Sequence, residues 1–184
     1  MKLKNRVAII TGATGDIGKN TAKKFLQEGA KVMLAGRSKE KLSKLQNELN
    51  VDGRVRNQAG DVCSESYVKT LIDQTLKEFN KVDIMFANAG TEGRTAALEE
   101  QKLEDFSNLL SINVIGVWLC IKHSIKAMKK NQGDSSIIVT SSGAGVLGYA
   151  GGGPYIASKH AVNGLVKAGA AEPVSYTHLT LPTK

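Results

Sequence analysis

A chain of 184 residues with 41% apolar and 23% charged side chains can bury one substantial core, which excludes a disordered or fibrous polypeptide. Its formal charge is +8, yet the lysines and arginines are scattered, form no run of five like charges and do not alternate with aromatics, so no nucleic-acid partner is expected. Cys63, Cys120, His123, His160 and His178 match no metal or redox spacing, so no metal is expected and the two thiols read as reduced core cysteines.

The N-terminus enters an apolar run directly after Met1 to Asn5, without the stretch and cleavage site of a signal peptide, and a cytoplasmic location is expected. Val7-Ala8-Ile9-Ile10 reads as a buried strand. Ile17, Thr21 and Phe25 fall at i, i+4 and i+8 and predict a helix over 16–28, which Gly29 ends. A second strand covers 32–35. Ser38 then caps a helix with the stripe Leu42, Leu45 and Leu49. A third strand is expected over 54–58. In the next helix Val68, Ile72 and Leu76 are in register, with Leu71, Thr75 and Phe79 beside them. A fourth strand covers 82–87.

A long helix is expected to fill much of 105–130. Its uncharged stretch, 106–121, contains Ser107, Asn108, Ser111 and Asn113 and reads as falling short of a membrane span, so no membrane partner is expected. A fifth strand over 136–140 and a helix over 155–167 follow. This alternation predicts an α/β fold of one domain: a Rossmann-like doubly wound parallel sheet with helices on both faces.

Thr11-Gly12-Ala13-Thr14-Gly15-Asp16-Ile17-Gly18 joins the first strand to the first helix. Glycines there let the backbone approach a pyrophosphate, and the helix start offers free N–H groups and a positive dipole end. Gly12, Thr14, Gly15, Asp16, Ile17 and Gly18 are therefore candidate dinucleotide-binding residues; the plainer alternative is an ordinary glycine-containing turn. Asp16 also suits the helix dipole and is expected to point outward. The end of the second strand, Gly36-Arg37-Ser38, meets the adenosine ribose in this architecture and carries no carboxylate. Arg37 can pair with a 2′-phosphate, which favours NADP, with NAD the alternative. Otherwise Arg37 is a solvated arginine at a strand end.

Tyr155 and Lys159 stand at i, i+4 on one helix face. An ammonium at that spacing stabilises a phenolate and makes Tyr155 a candidate general acid/base. Ser142 lies thirteen residues upstream, just past the fifth strand, with Ser141 beside it. Asn113 sits in the long helix, where a buried amide bonding the backbone of a kinked helix would explain it equally well.

Together these motifs resemble the short-chain dehydrogenase/reductase family. Thr11, Gly12 and Gly18 match its T-G-x-x-x-G-x-G loop, whose middle glycine is replaced by Asp16. Asp61-Val62 and Asn88-Ala89-Gly90 resemble its adenine-contacting pair and its N-A-G motif, and Gly36 stands where its NAD-type acid would be. The resemblance covers residues 3 to 172 or so. It implies hydride transfer between NAD(P)(H) and a small-molecule carbonyl or secondary alcohol, with a homo-oligomer for the complete protein. Tyr155 would pass the proton and Ser142 would bind the substrate oxygen. Lys159 would support Tyr155 and the nicotinamide ribose, and Asn113 would hold a water relaying protons to Lys159. The competing reading is a non-catalytic dinucleotide-binding module or an inactive fragment of such an enzyme.

Residues 1–172 are thus read as an incomplete NAD(P)-binding domain, and residues 173–184 as a tail without match to the family. The expectation is that Pro173 stops the last helix near Glu172, that no sixth strand pairs with the fifth, and that the fifth is left as an open edge.

Overall fold

The computed structural model describes residues 1–49, 53–131 and 133–172, and the backbone of 177–180. In chain order the elements are β1 (Val7–Thr11), α1 (Asp16–Gln27), β2 (Lys31–Gly36), α2 (Lys39–Leu49), β3 (Val55–Ala59), α3 (Glu65–Phe79), β4 (Ile84–Ala87), α4 (Leu103–Leu110), α5 (Gly116–Met128), β5 (Ser135–Val139), α6 (Gly153–Ala171) and β6 (Thr177–Thr180). All strands run parallel in the order β3-β2-β1-β4-β5-β6. The chain therefore leaves the sheet in opposite directions from β1 and β4, and a crevice opens at their carboxyl ends.

Adjacent residues on each strand feed opposite faces, because strand side chains alternate. Ile9, Met33, Met85 and Ile137 pack with α3, α5 and α6 through Leu71, Ile121 and Val162. Ile10, Leu34 and Phe86 pack with α1 and α2 through Ala22, Leu26, Leu42 and Leu45. Both faces of the sheet are covered, so its strands read as continuous apolar runs and not as alternating ones. At the amino ends of the strands, buried Asp83 accepts the Val7 N–H at 2.8 Å and pairs with Arg6 at 3.3 Å and Lys81 at 3.0 Å. That carboxylate bolts β1 to β4 on the side opposite the crevice.

Two expectations are corrected. A sixth strand does pair with the fifth: Thr177–Thr180 run parallel to β5 with Ser136 opposite His178 and Ile137 opposite Leu179, so β5 is not an open edge. Parallel pairing needs only free backbone N–H and C=O groups, which a short non-proline stretch supplies whatever its side chains. Second, the long helix runs from Leu103 to Met128, and by length and composition its 26 residues suffice to cross a membrane. It nevertheless packs as a core helix, with Val117, Leu119, Cys120, Ile121 and Met128 buried in the α3–α6 side of the core. The uncharged stretch 106–121 is only the middle of this helix, which continues on both sides of it. Helix α6 ends where expected, with Glu172 in an extended conformation (φ −74°, ψ 136°), but begins at Gly153, two residues before Tyr155, with Pro154 in its first turn.

Candidate active site

The crevice is a cleft of about 460 Å³. Its lining includes Gly12, Thr14, Gly15, Asp16 and Ile17 from the first loop, Arg37 after β2, Asp61 and Val62 after β3, and Asn88, Ala89 and Gly90 after β4. Four separate sequence motifs thus converge on one space. Gly36, Gly60, Thr91 and Ile112 line it too and were not singled out as ligand contacts from sequence. Of the residues expected to bind the cofactor, Gly18, Ser38, Tyr155 and Lys159 do not line the cleft. Gly18 is buried, and Ser38 caps α2, its Oγ accepting the Lys41 N–H at 3.2 Å.

Local backbone chemistry explains the first loop. Gly12 has φ +63°, and a Cβ on it would lie 3.0 Å from the Ala89 Cα. A Cβ on Gly18 would lie 2.7 Å from the Ala13 Cα and collide with the Gly12 carbonyl. Both positions are therefore closed to side chains, and the loop folds flush onto the start of α1. Gly15 is the residue before α1 and has no capping side chain, so the first helical N–H groups remain available to an anion. Asp16 opens the helix and is exposed at the rim of the cleft.

Thr11 and Asn88 hold the floor of the cleft. The Thr11 Oγ1 accepts the N–H groups of Asn88 at 3.0 Å and Ala89 at 3.1 Å. The Asn88 amide donates to the Thr11 carbonyl at 3.2 Å, and its Oδ1 accepts from the Thr140 hydroxyl at 2.9 Å. One asparagine therefore fastens the carboxyl ends of β1, β4 and β5. Asp61 turns the chain after β3, accepting the Cys63 N–H at 2.9 Å. Burial, and then Asp61, push the Cys63 thiol up to about 11, and burial alone pushes Cys120 up to about 12. Cys120 is a buried core cysteine as expected, whereas Cys63 is only half-buried at the edge of that core. Among the described residues no cluster of three potential metal ligands occurs.

The second half of the site lies at the end of β5 and the start of α6. Lys159 is only 7% exposed, and its Nζ donates to the Thr140 carbonyl at 2.8 Å. It stands 5.5 Å from the centre of the Tyr155 ring. Burial pushes the Lys159 ammonium below the ordinary lysine range. The two neighbouring serines differ. Ser141 is buried and donates its hydroxyl proton to the Asn163 Oδ1 at 2.6 Å. Ser142 is half-buried, and its Oγ accepts the Ala144 N–H at 3.2 Å, which leaves its proton to donate elsewhere. Only Ser142 can offer a hydrogen bond to an incoming oxygen without breaking an internal one.

Asn113 lies in a π-helical turn, Ser111–Ile115, that joins α4 to α5. Its amide clasps the Thr91 backbone, donating to the carbonyl and accepting the N–H, each at 2.8 Å. It also donates to the Ser158 Oγ at 3.1 Å, and Ser158 in turn donates to the Tyr155 carbonyl at 2.7 Å. The side chain thus reaches the Tyr155 helix through Ser158, from the π-turn at which α4 meets α5.

This geometry has close parallels. Residues 6–178 match the model of the short chain dehydrogenase family. The chain is 38% identical over 175 residues to a 3alpha-hydroxysteroid dehydrogenase of Mediterraneibacter gnavus, an alignment covering 94% of this chain and 69% of that protein. It is 36% identical over 175 residues to short chain aldehyde dehydrogenase 1 of Euphorbia lathyris, covering 93% of this chain and 59% of the relative. The chain thus spans 59 to 69% of the length of these two relatives. Among solved structures it resembles an NAD+-bound xylitol dehydrogenase with a TM-score of 0.93 and 31% identity, over 100% of this chain and 72% of that one. A levodione reductase gives a TM-score of 0.91 and 32% identity over 98% and 72%.

Proposed function

The chain belongs to the short-chain dehydrogenase family, and on that premise we propose that it moves a hydride between a nicotinamide dinucleotide and a carbonyl or secondary alcohol carbon. The observation that carries this reading is the position of Lys159. Its buried ammonium is tied to the strand end that bears Ser142 and faces the Tyr155 ring at 5.5 Å. That arrangement supplies a charge to stabilise a phenolate and a fixed hydroxyl to bind the reacting oxygen.

The residues of the cleft fit a dinucleotide. Gly12 lets the loop pack against Ala89 and Gly18 lets it pack against its own backbone, and the uncapped start of α1 offers N–H groups to a pyrophosphate. Asp61 and Val62 would flank the adenine, and Asn88 to Gly90 the ribose and nicotinamide side. When bound, the nicotinamide supplies or accepts the hydride. In the reducing direction the carbonyl π pair moves onto oxygen as the carbon gains hydride, and Tyr155 delivers the proton that oxygen needs. Ser142 donates a hydrogen bond to the same oxygen. Lys159 stabilises the resulting phenolate and binds the ribose hydroxyls. Asn113, anchored at Thr91 and Ser158, holds the water that returns protons to Lys159. Oxidation runs the same steps backwards.

NADP is the proposed partner. Arg37 is exposed at the cleft and suits a 2′-phosphate. Packing does not force glycine at position 36, since a Cβ there would meet the Leu42 side chain at an ordinary 3.7 Å. A residue that could have carried an acid carries none. For the whole protein we propose a homo-oligomer, supported by Ile115 and Trp118, which are 46% and 43% exposed on the long helix.

The test is a panel of ketones, aldehydes and secondary alcohols with NADPH and NADH, run on this chain and on a version extended to its relatives' length. In the active form Tyr155→Phe should cut kcat by about 10²–10⁴-fold and leave cofactor binding intact. Near-native kcat in that variant would remove Tyr155 from the mechanism.

A further inference from the structure

We propose that Asn163 is a positioning residue that clamps the turn bearing Ser142 onto the helix bearing Tyr155 and Lys159; this rests on the oxidoreductase reading above. Asn163 lies on α6, four residues after Lys159. Its Oδ1 accepts the Ser141 hydroxyl at 2.6 Å, and its Nδ2 donates to the Gly145 carbonyl at 2.9 Å. Those partners bracket the short 3-10 turn Gly143–Gly145, whose preceding residue is Ser142. One amide therefore grips the turn from both ends, with Ser142 between the grips.

The fit is close. A Cβ on Gly145 would lie 2.6 Å from the Asn163 Nδ2, 2.8 Å from the Ser141 Oγ and 3.1 Å from the Lys159 carbonyl. Glycine at 145 leaves room for the amide between turn and helix. The turn's own bonds are local and do not reach α6: Ala144 N–H to the Ser142 Oγ at 3.2 Å, Gly145 N–H to the Ser142 carbonyl at 2.9 Å, and the Val146 and Leu147 N–H groups to the Gly143 carbonyl at 3.1 and 2.9 Å. The neighbouring stitch, Lys159 to the Thr140 carbonyl, fixes the strand end but not the turn beyond it. A carboxamide is required because one partner donates and the other accepts. Aspartate would set an acceptor against the Gly145 carbonyl, and leucine would satisfy neither side. The contribution of Asn163 is to hold the Ser142 hydroxyl within reach of the same oxygen that Tyr155 protonates.

Backbone amide exchange tests the clamp without any turnover. In Asn163→Leu of this chain, protection of the Ala144 and Gly145 amides should fall about tenfold or more, while the Ile9 and Met85 amides in β1 and β4 hold. Unchanged protection at 144 and 145 overturns the proposal. An equal loss at all four amides overturns it too, because Asn163 would then serve stability in general. In the active enzyme Asn163→Leu should lower kcat about tenfold with cofactor KM unchanged, and should cost nothing further in a Ser142→Ala background. Additive losses in that double variant overturn the proposal. Full activity in Ser142→Ala alone would instead overturn the catalytic reading, while the exchange experiment still reports on the clamp.

Discussion

The two halves of the site are built by different means. The β1–α1 side is made of backbone: Gly12 and Gly18 are closed to side chains by their neighbours, and the start of α1 beside the cleft carries no capping side chain. The β5–α6 side is made of side chains in fixed hydrogen bonds: Lys159 on the Thr140 carbonyl, Ser141 on the Asn163 amide, Ser158 on the Asn113 amide. A backbone site fails through steric collision and takes the local fold with it. A side-chain site can lose its chemistry while the fold stands. The contrast between Tyr155→Phe and a glycine variant should show this directly.

Gly18→Ala should give the largest structural effect. Its Cβ meets backbone atoms that cannot rotate away, so overpacking costs about 1–3 kcal/mol, partly offset by alanine's helix propensity of about 1 kcal/mol. Dinucleotide affinity should fall with it. Gly15→Ala is the control, because its Cβ would meet the Gly12 carbonyl at an ordinary 3.5 Å. Urea unfolding and cofactor titration of the pair check this; equal stability in the two variants would show that the loop yields.

Arg37→Ala sharpens the comparison within the cofactor side. It should weaken NADPH binding by about one to two decades and leave NADH binding nearly unchanged, since only NADPH carries the 2′-phosphate. Equal losses for both would mean that Arg37 does not read that group.

The smallest effect concerns the buried ammonium. Burial holds the folded Lys159 pKa below its unfolded value, near ~10.4. Between those two values the unfolded chain binds more protons than the folded one, so stability rises with pH across that alkaline window. Below the folded pKa the charged lysine is a standing cost. Urea midpoints of the natural chain relative to Lys159→Met should therefore climb as pH rises toward ~10.4. A flat difference would mean that the ammonium is as well solvated folded as unfolded.

The sequence carried much of this plan. Residues 7–10, 32–35 and 84–87 are apolar runs because their strands are buried on both faces, and that pattern is local. The loop from Thr11 to Gly18 and the Tyr155–Lys159 pair are legible because their spacing is short and their chemistry restrictive. Tertiary structure decided what depends on distant partners. Ser141 and Ser142 are neighbours of one residue type, and only the arrival of Asn163, 22 positions away, commits one and frees the other. Asn88 is legible in the sequence as part of a motif, but not its bonds to Thr11, 77 positions upstream, and Thr140, 52 downstream. The sixth strand is the limiting case. Its pairing with β5 runs through peptide groups that every non-proline residue shares, so residue types leave little trace of it, and only the assembled sheet edge selects it.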